Sequence, residues 1–172
     1  MPTPYETLVE TDKLIATTPR WEDKNPKTGD QKLVASLRVG GRAFQGVELI
    51  GRCQLGVRNA HVSFTLTYFP TNNRRESVRL CRVDWRPLTI HTNDHPNTPL
   101  ELLGDVPGTH HHAFKLNRSS TGVPLKALPI AEPIEPDYAS FKELVDGVGA
   151  LFRITNAGTA LLSPWPEDLF GQ

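Results

Sequence analysis

Ala60-His-Val-Ser-Phe-Thr-Leu-Thr-Tyr-Phe69 is the stretch that decides the fold. Val62, Phe64, Leu66 and Tyr68 share one face of an extended chain, and Ser63, Thr65 and Thr67 share the other. This period of two, in β-branched and aromatic residues, is the pattern of a half-buried strand. Working outward, Val47-Glu-Leu-Ile-Gly-Arg-Cys53 precedes it, and Ser77-Val-Arg-Leu-Cys-Arg-Val-Asp-Trp85 follows after the turn Pro70-Thr-Asn-Asn-Arg-Arg75. Lys32-Leu-Val-Ala-Ser-Leu-Arg-Val39 ends at Gly40-Gly41, a turn signal, and Lys13-Leu-Ile-Ala-Thr-Thr18 stands beyond a polar loop from Glu22 to Gln31. Five strands joined by short loops favour antiparallel pairing over crossover helices. His111-His-Ala-Phe-Lys-Leu116 is a candidate sixth.

One good helix follows. Phe141, Leu144, Val145, Val148 and Phe152 fall on one helical face. Ser140 with Glu143 forms a capping-box pattern, and Asp137 offers an earlier cap. Gly147 and Gly149 weaken a helix, so their presence predicts close approach to the sheet. Prolines punctuate 96–107 and 124–136, which should be loops. The sequence predicts an α+β domain over 1–172: a strongly bent antiparallel sheet of five to seven strands, curled into a half-barrel, with one helix over about 138–153 on its concave face. Residues 1–12 and 155–172 are expected as irregular tails, with Trp165 and Phe170 tying the second to the body. Residues 86–109 and 117–137 are expected as loops.

The composition narrows the function classes. The 172 residues carry 19 Lys+Arg and 19 Asp+Glu, a net charge of zero, which argues against a chain whose main task is gripping nucleic acid but leaves room for a local basic patch. No run approaches the ~18 apolar residues of a spanning helix, so no membrane partner is expected. Met1-Pro-Thr-Pro-Tyr-Glu6 has neither the basic start nor the apolar run of a secretory signal, and a cytoplasmic setting is the default. Cys53 and Cys81 are isolated, and read as small buried hydrophobes.

The main functional signal is histidine. Five of six lie between 91 and 112: His91, His95, His110, His111 and His112. In a strand, His110 and His112 project to one face and His111 to the other. Two imidazoles on one face are half of a divalent transition-metal site, which His91 and His95 can complete, with Asp84, Asp94 or Asp105 adding a carboxylate. A metal-free pair can instead serve as acid and base on a phosphoester, with Arg82, Arg86, Lys115 and Arg118 holding the phosphate. The plainer reading is that these histidines and asparagines hydrogen-bond the backbone of a Pro-rich loop. The spacing matches neither H-E-x-x-H nor a zinc finger, and the H-x-[ST] pairs of two-histidine phosphoesterases are absent. Residues 71–86 carry Arg74, Arg75, Arg79, Arg82 and Arg86 against Glu76 and Asp84, with Tyr68, Phe69 and Trp85 alongside. That is either an RNA-binding strip or a sheet edge blunted by charge.

A strand ending Arg82-Val-Asp84, a loop with His91, Asn93 and His95, then Thr109-His-His-His-Ala-Phe114, a Pro-rich connection and a Phe-x-Glu-Leu-Val helix succeed one another. That order, over residues 77–154, resembles the TumE-type family of prokaryotic toxins and related uncharacterised families. About 25 residues separate Arg82 from the histidine triplet, where that family's loop is tighter. The resemblance implies a mobile-element or defence context, and carries over Arg82, Asp84, His91, Asn93, His110 and His112. It implies an antitoxin or other protein partner.

The leading expectation is a small hydrolase acting on RNA or another phosphoester. His110, His112 and His91 are its acid–base groups, Arg82 its phosphate holder and Asp84 an orienting carboxylate. A metal would sit on His110, His112 and His95, and Asn93, Arg86 and Arg118 would contact substrate. The alternative is a non-enzymatic protein-binding or homo-oligomeric module in which the histidines only stabilise the loop.

Overall fold

The computed structural model describes residues 2–71 and 74–166. Ten strands form in chain order: β1 (Lys13–Ile15), β2 (Trp21–Asn25), β3 (Asp30–Val39), β4 (Arg42–Gln54), β5 (Val62–Tyr68), β6 (Val78–Trp85), β7 (His91–Asn93), β8 (Gly104–Val106), β9 (His110–His112) and β10 (Glu132–Pro133). Eight make one antiparallel sheet in the order β1-β3-β4-β5-β6-β9-β10, with β2 also paired to β3. The remaining two, β7 and β8, form a separate antiparallel hairpin. The α+β class holds. The sheet has eight strands rather than five to seven, and it is not a closed barrel. Helices α1 (Pro4–Glu10), α2 (Phe141–Phe152) and α3 (Ala157–Ala160) accompany it, where one was expected. No helix among the described residues is long and apolar enough to cross a membrane.

The polar stretch 22–31, expected as a loop, is the β2–β3 hairpin. Four of the five β2 residues are exposed, so no apolar alternation announces the strand. The Gly40-Gly41 turn behaves as read: both residues have positive φ, 56° and 75°, and Val39 pairs with Arg42 across them. A two-residue hairpin turn of this hand needs a left-handed backbone at both central positions, which glycine adopts without strain. The segment 1–12 is not irregular. Thr3 caps α1 by accepting from the Glu6 amide, and the Glu6 carboxylate accepts from the Thr3 amide in return.

Helix α2 presents Phe141, Leu144, Val145, Val148 and Phe152 to the sheet, all buried. Its cap is Ser140, which accepts from the Glu143 amide at 3.2 Å; Asp137 is engaged elsewhere, by Arg86 and Thr109. The two glycines have different neighbours from those expected. Tyr138 fills the space beside Gly147, and Ala157 of α3 that beside Gly149. The core lies between α2 and one sheet face, where Phe64, Leu66, Val83 and Trp85 are fully buried. Cys53 and Cys81 join it as free, buried thiols. Trp165 packs against Phe141 with centroids 6.0 Å apart, while Phe170 lies outside the described residues.

Lys13 joins two helix ends. It is 1% exposed, and its ammonium donates to the carbonyls of Val9, Thr11 and Phe152 at 3.0, 2.7 and 3.0 Å. The carbonyl-rich ends of α1 and α2 thus share one cation.

The opposite sheet face carries most of the polar strand residues. Register lines them up: Arg52 pairs with Ser63, Ser63 with Asp84, and Asp84 with His110. A second row runs from Ile50 through Thr65 and Arg82 to His112.

A candidate three-histidine centre

Strand β9 lies beside β6 with Arg82 opposite His112 and Asp84 opposite His110. Directly opposed residues share a face, so these four side chains meet on the polar side of the sheet. His111 turns to the core, its ring 6.0 Å from Phe152. The period-two reading of the triplet therefore describes both faces. Strand β7 delivers the third ring. His91 stands 5.4 Å from His110 and 4.8 Å from His112, and those two stand 5.1 Å apart, centroid to centroid. One nitrogen from each of the three rings lies within 4.8 Å of the others.

Hydrogen bonds assign the protons. His91 Nε2 faces two acceptors, the Pro129 carbonyl at 3.0 Å and Asn93 Oδ1 at 3.1 Å. It must therefore donate, which leaves a lone pair at Nδ1 when the ring is neutral. Asn93 is 1% exposed, and its amide orientation is fixed by donating to Leu102 and Ala131 carbonyls and accepting from the Ala131 amide. His112 Nε2 donates to Asp84 Oδ2 at 3.2 Å, and its buried Nδ1 has no partner among the described residues. His110 Nδ1 donates to the Gly108 carbonyl at 2.8 Å, and its Nε2 stands 3.3 Å from the same Asp84 oxygen. In neutral His110 that contact sets a lone pair against a carboxylate. A proton or a metal ion in the cluster relieves it.

Asp84 is 5% exposed. Burial pushes its carboxyl up, but the imidazoles of His110 and His112 beside it and the charge and hydrogen bonds of Arg82 prevail and hold it well below the usual carboxylate range. Arg82 contributes Nε at 2.9 Å and Nη2 at 2.6 Å, both to Oδ1, which leaves Oδ2 to the imidazoles. Burial lowers the proton affinity of His112, against the pull of Asp84. Burial, with help from His112 and Lys115, lowers His111 to about 4, so it is a neutral core residue.

The sequence expectations separate at this point. Arg82, Asp84, His91, His110 and His112 converge. His95, expected as the third metal ligand, lies in the loop beyond β7, where its Nδ1 accepts from the Asn97 amide at 3.1 Å, and it is not part of the three-ring group. Asn93 is buried with both ends of its amide engaged, so it positions His91 and the loop rather than contacting a substrate. Arg86 is held by Asp137 at 2.6 Å and the Tyr138 carbonyl at 2.8 Å. Arg118 pairs with Glu6 of α1 and lines a separate cavity with Thr3 and Lys115. Asp105 accepts from Thr92. The arginine strip is dispersed: Arg74 turns to Glu48, Arg82 to Asp84 and Arg86 to Asp137.

Two contributors were missed. Asn117, fully buried, grips Ala113 and Ile130 as Asn93 grips Leu102 and Ala131, so both asparagines hold the 128–131 segment against the histidine strand. Loop asparagines that bond backbone were legible as a class, but not which ones. His61 lines a cavity of about 400 Å³ that shares Arg82 and Asp84 with the histidine cavity of about 160 Å³.

Three imidazoles with a carboxylate behind two of them match the donor set of an open metal centre: three protein ligands and a free position. Nitrogens at ~2.0–2.1 Å from a tetrahedral ion would stand closer together than the 4.8 Å seen here, so such an ion would require the rings to move inward. No protein-family model, no curated protein and no solved structure matches this chain.

Proposed function

We propose that the chain is a small hydrolase that cleaves a phosphoester at a divalent metal held by His91, His110 and His112. The observation that carries this is the convergence of one ring nitrogen from each of the three histidines, beside a buried His112 Nδ1 that has no hydrogen-bond partner among the described residues. A burial that strands a polar atom costs ~1–3 kcal/mol, and a bound ion recovers it. A metal here would lower the pKa of a bound water and so supply hydroxide near neutral pH. Asp84 fixes the orientation and tautomer of His112 and balances charge behind His110. Arg82 is engaged by Asp84 through Nε and Nη2, and keeps Nη1 for an oxygen of the phosphoryl group. Attack forms one P–O bond and breaks the ester P–O bond, and the leaving alkoxide takes its proton from water.

The residues that meet here are those on which the resemblance to TumE-type toxins rested, with Asn93 as a positioning residue. On this reading the protein is a toxin-like hydrolase that a protein partner would restrain. The test is zinc or nickel titration followed by calorimetry and thermal melting, with hydrolysis of bis(4-nitrophenyl) phosphate as readout. Low-micromolar binding, a raised melting temperature and metal-dependent hydrolysis are expected, all lost in His112→Ala. Unchanged melting with saturating metal refutes the centre.

A further inference from the structure

The polar sheet face carries cations that the histidine centre does not use. Lys32 on β3 stands opposite Arg52 on β4, Arg52 opposite Ser63, Ser63 opposite Asp84, and Asp84 opposite His110. This transverse row begins at Glu22 of β2, opposite Lys32, and runs through the two cations to the centre. The neighbouring carboxylates are engaged elsewhere through at least one oxygen, although the buried Oε2 of Glu48 has no hydrogen-bond partner among the described residues. Glu22 pairs with Lys24 at 3.3 Å, Glu48 with Arg74 at 3.0 Å, and Asp30 accepts from Thr28 and Gln54. Among the described residues neither Lys32 nor Arg52 makes a side-chain hydrogen bond or ion pair. Burial, then the nearby charges of Arg52, Lys24 and Arg74, lower the proton affinity of Lys32 against the pull of Glu48. The cavity of about 400 Å³ lined by Lys24, Arg52, Ser63, Arg82 and Asp84 opens along this row and adjoins the histidine cavity.

We propose that this row is the track of a single-stranded polynucleotide, whose backbone phosphates follow Lys32 and Arg52 toward the phosphodiester cleaved at the histidine centre. This rests on the hydrolase reading above and names its substrate class. Strands lie about 4.8 Å apart, so the Lys32 strand stands roughly 14 Å from the Asp84 strand. One phosphate cannot reach across that span, whereas a stacked strand advancing ~3.4 Å per nucleotide covers it with about four. A centre cavity of about 160 Å³ suits one phosphate and its sugar and is far smaller than a duplex. No Phe, Tyr or Trp belongs to the row, so contact is to phosphates rather than bases, and binding is indifferent to sequence and sensitive to salt.

The experiment follows fluorescence anisotropy of a labelled oligouridylate, and of the matching oligothymidylate, across about 50–200 mM salt. Wild type should bind with a linear dependence of log Kd on log salt. Lys32→Gln with Arg52→Gln should weaken binding about tenfold or more and reduce the slope by about 1.4, the share of two phosphate contacts at ~0.7 each. Arg52→Gln alone, at an exposed position, should remove about half of that and serves if the double variant folds poorly. Binding of both polymers assigns the phosphodiester chain, and binding of oligouridylate alone assigns RNA; each upholds the track. Zinc affinity is measured on the same protein. Zinc binding without oligonucleotide binding, or variants that bind the oligonucleotide as wild type does, overturns the track. Oligonucleotide binding without zinc binding overturns the metal centre and leaves the track standing.

Discussion

Asp84→Asn is the sharpest perturbation of the centre, because it keeps shape and removes only charge and one acceptor. The carboxylate is 5% exposed and takes hydrogen bonds from Arg82 at 2.9 and 2.6 Å and from His112 at 3.2 Å. A hydrogen bond to a charged group contributes about 1.5–3 kcal/mol and a neutral one about 0.5–1.5, so each bond loses about 1 kcal/mol. The Arg82 side chain is 36% exposed, so solvent screens part of its share. The net loss is about 2–3 kcal/mol, or roughly 5–10 °C in melting temperature for a chain of this size. The effect on metal binding is more specific. With its nitrogen at the former Oδ2 position, the substituted carboxamide presents N–H to His112 Nε2. The imidazole must then carry its proton on Nδ1, the nitrogen that should ligate. Zinc affinity should fall about 10–100-fold, the usual cost of losing a partner behind a ligand. The assay is zinc titration by calorimetry beside thermal melts, with Asp94→Asn, an exposed carboxylate in the following loop, as the control that changes neither. An Asp84→Asn protein with wild-type melting and zinc affinity would refute both the tautomer argument and the centre.

Other expectations follow from single contacts. Lys13→Met should cost about 2–4 kcal/mol by leaving three carbonyls without a donor, read as a lower midpoint in urea. Burial, with the charge of Arg153, pulls the Lys13 ammonium down to about 8 against Cys81 and Asp12, while three acceptors at two helix ends favour its charged form, so an unchanged midpoint would show that burial dominates. His111 is held at about 4 against an ordinary value near 6.5, chiefly by burial, so the unfolded chain binds the extra proton. Stability should therefore fall as pH drops from about 6.5 toward 4, and His111→Leu should flatten that part of the profile in pH-dependent melts. Gly147→Ala would drive a methyl into the Tyr138 ring, and should destabilise by about 1–3 kcal/mol in chemical denaturation. Asn93→Ala should loosen the 128–131 segment and lower zinc affinity by freeing the His91 ring, measurable as faster amide exchange at Ala131 together with weaker titration.

What was legible in the sequence follows from which physics is local. Alternation within a strand depends only on the residues in it, so β5, β6 and the opposed faces of the histidine triplet could be read directly. The helix face of α2 is equally local, and its five apolar positions are the five buried ones. The β2–β3 hairpin was hidden because an exposed strand has no apolar side to alternate with. Helix α1 was hidden because seven residues with one buried leucine give no stripe, although Thr3 and Glu6 stood at capping-box spacing.

The site divides along the same line. His110 and His112 needed only strand periodicity to be paired. The choice of His91 over His95 as the third ring depended on a hairpin whose other strand, β8, begins 11 residues after Asn93, and on two buried asparagines that grip a segment 13 to 38 residues away. Arg118 was assigned to the site because it follows the triplet in sequence, yet its partner Glu6 is 112 residues distant in the chain. The unpaired cations of the open face were invisible for a related reason. Lys32 and Arg52 sit on strands far from the histidines in sequence, and only cross-strand register places them in the row of Asp84 and His110. A cluster counted along the chain therefore pointed to arginines 74–86, of which the fold ties Arg74, Arg82 and Arg86 to separate carboxylates. The charge left over for a polyanion is the part that no local count could show.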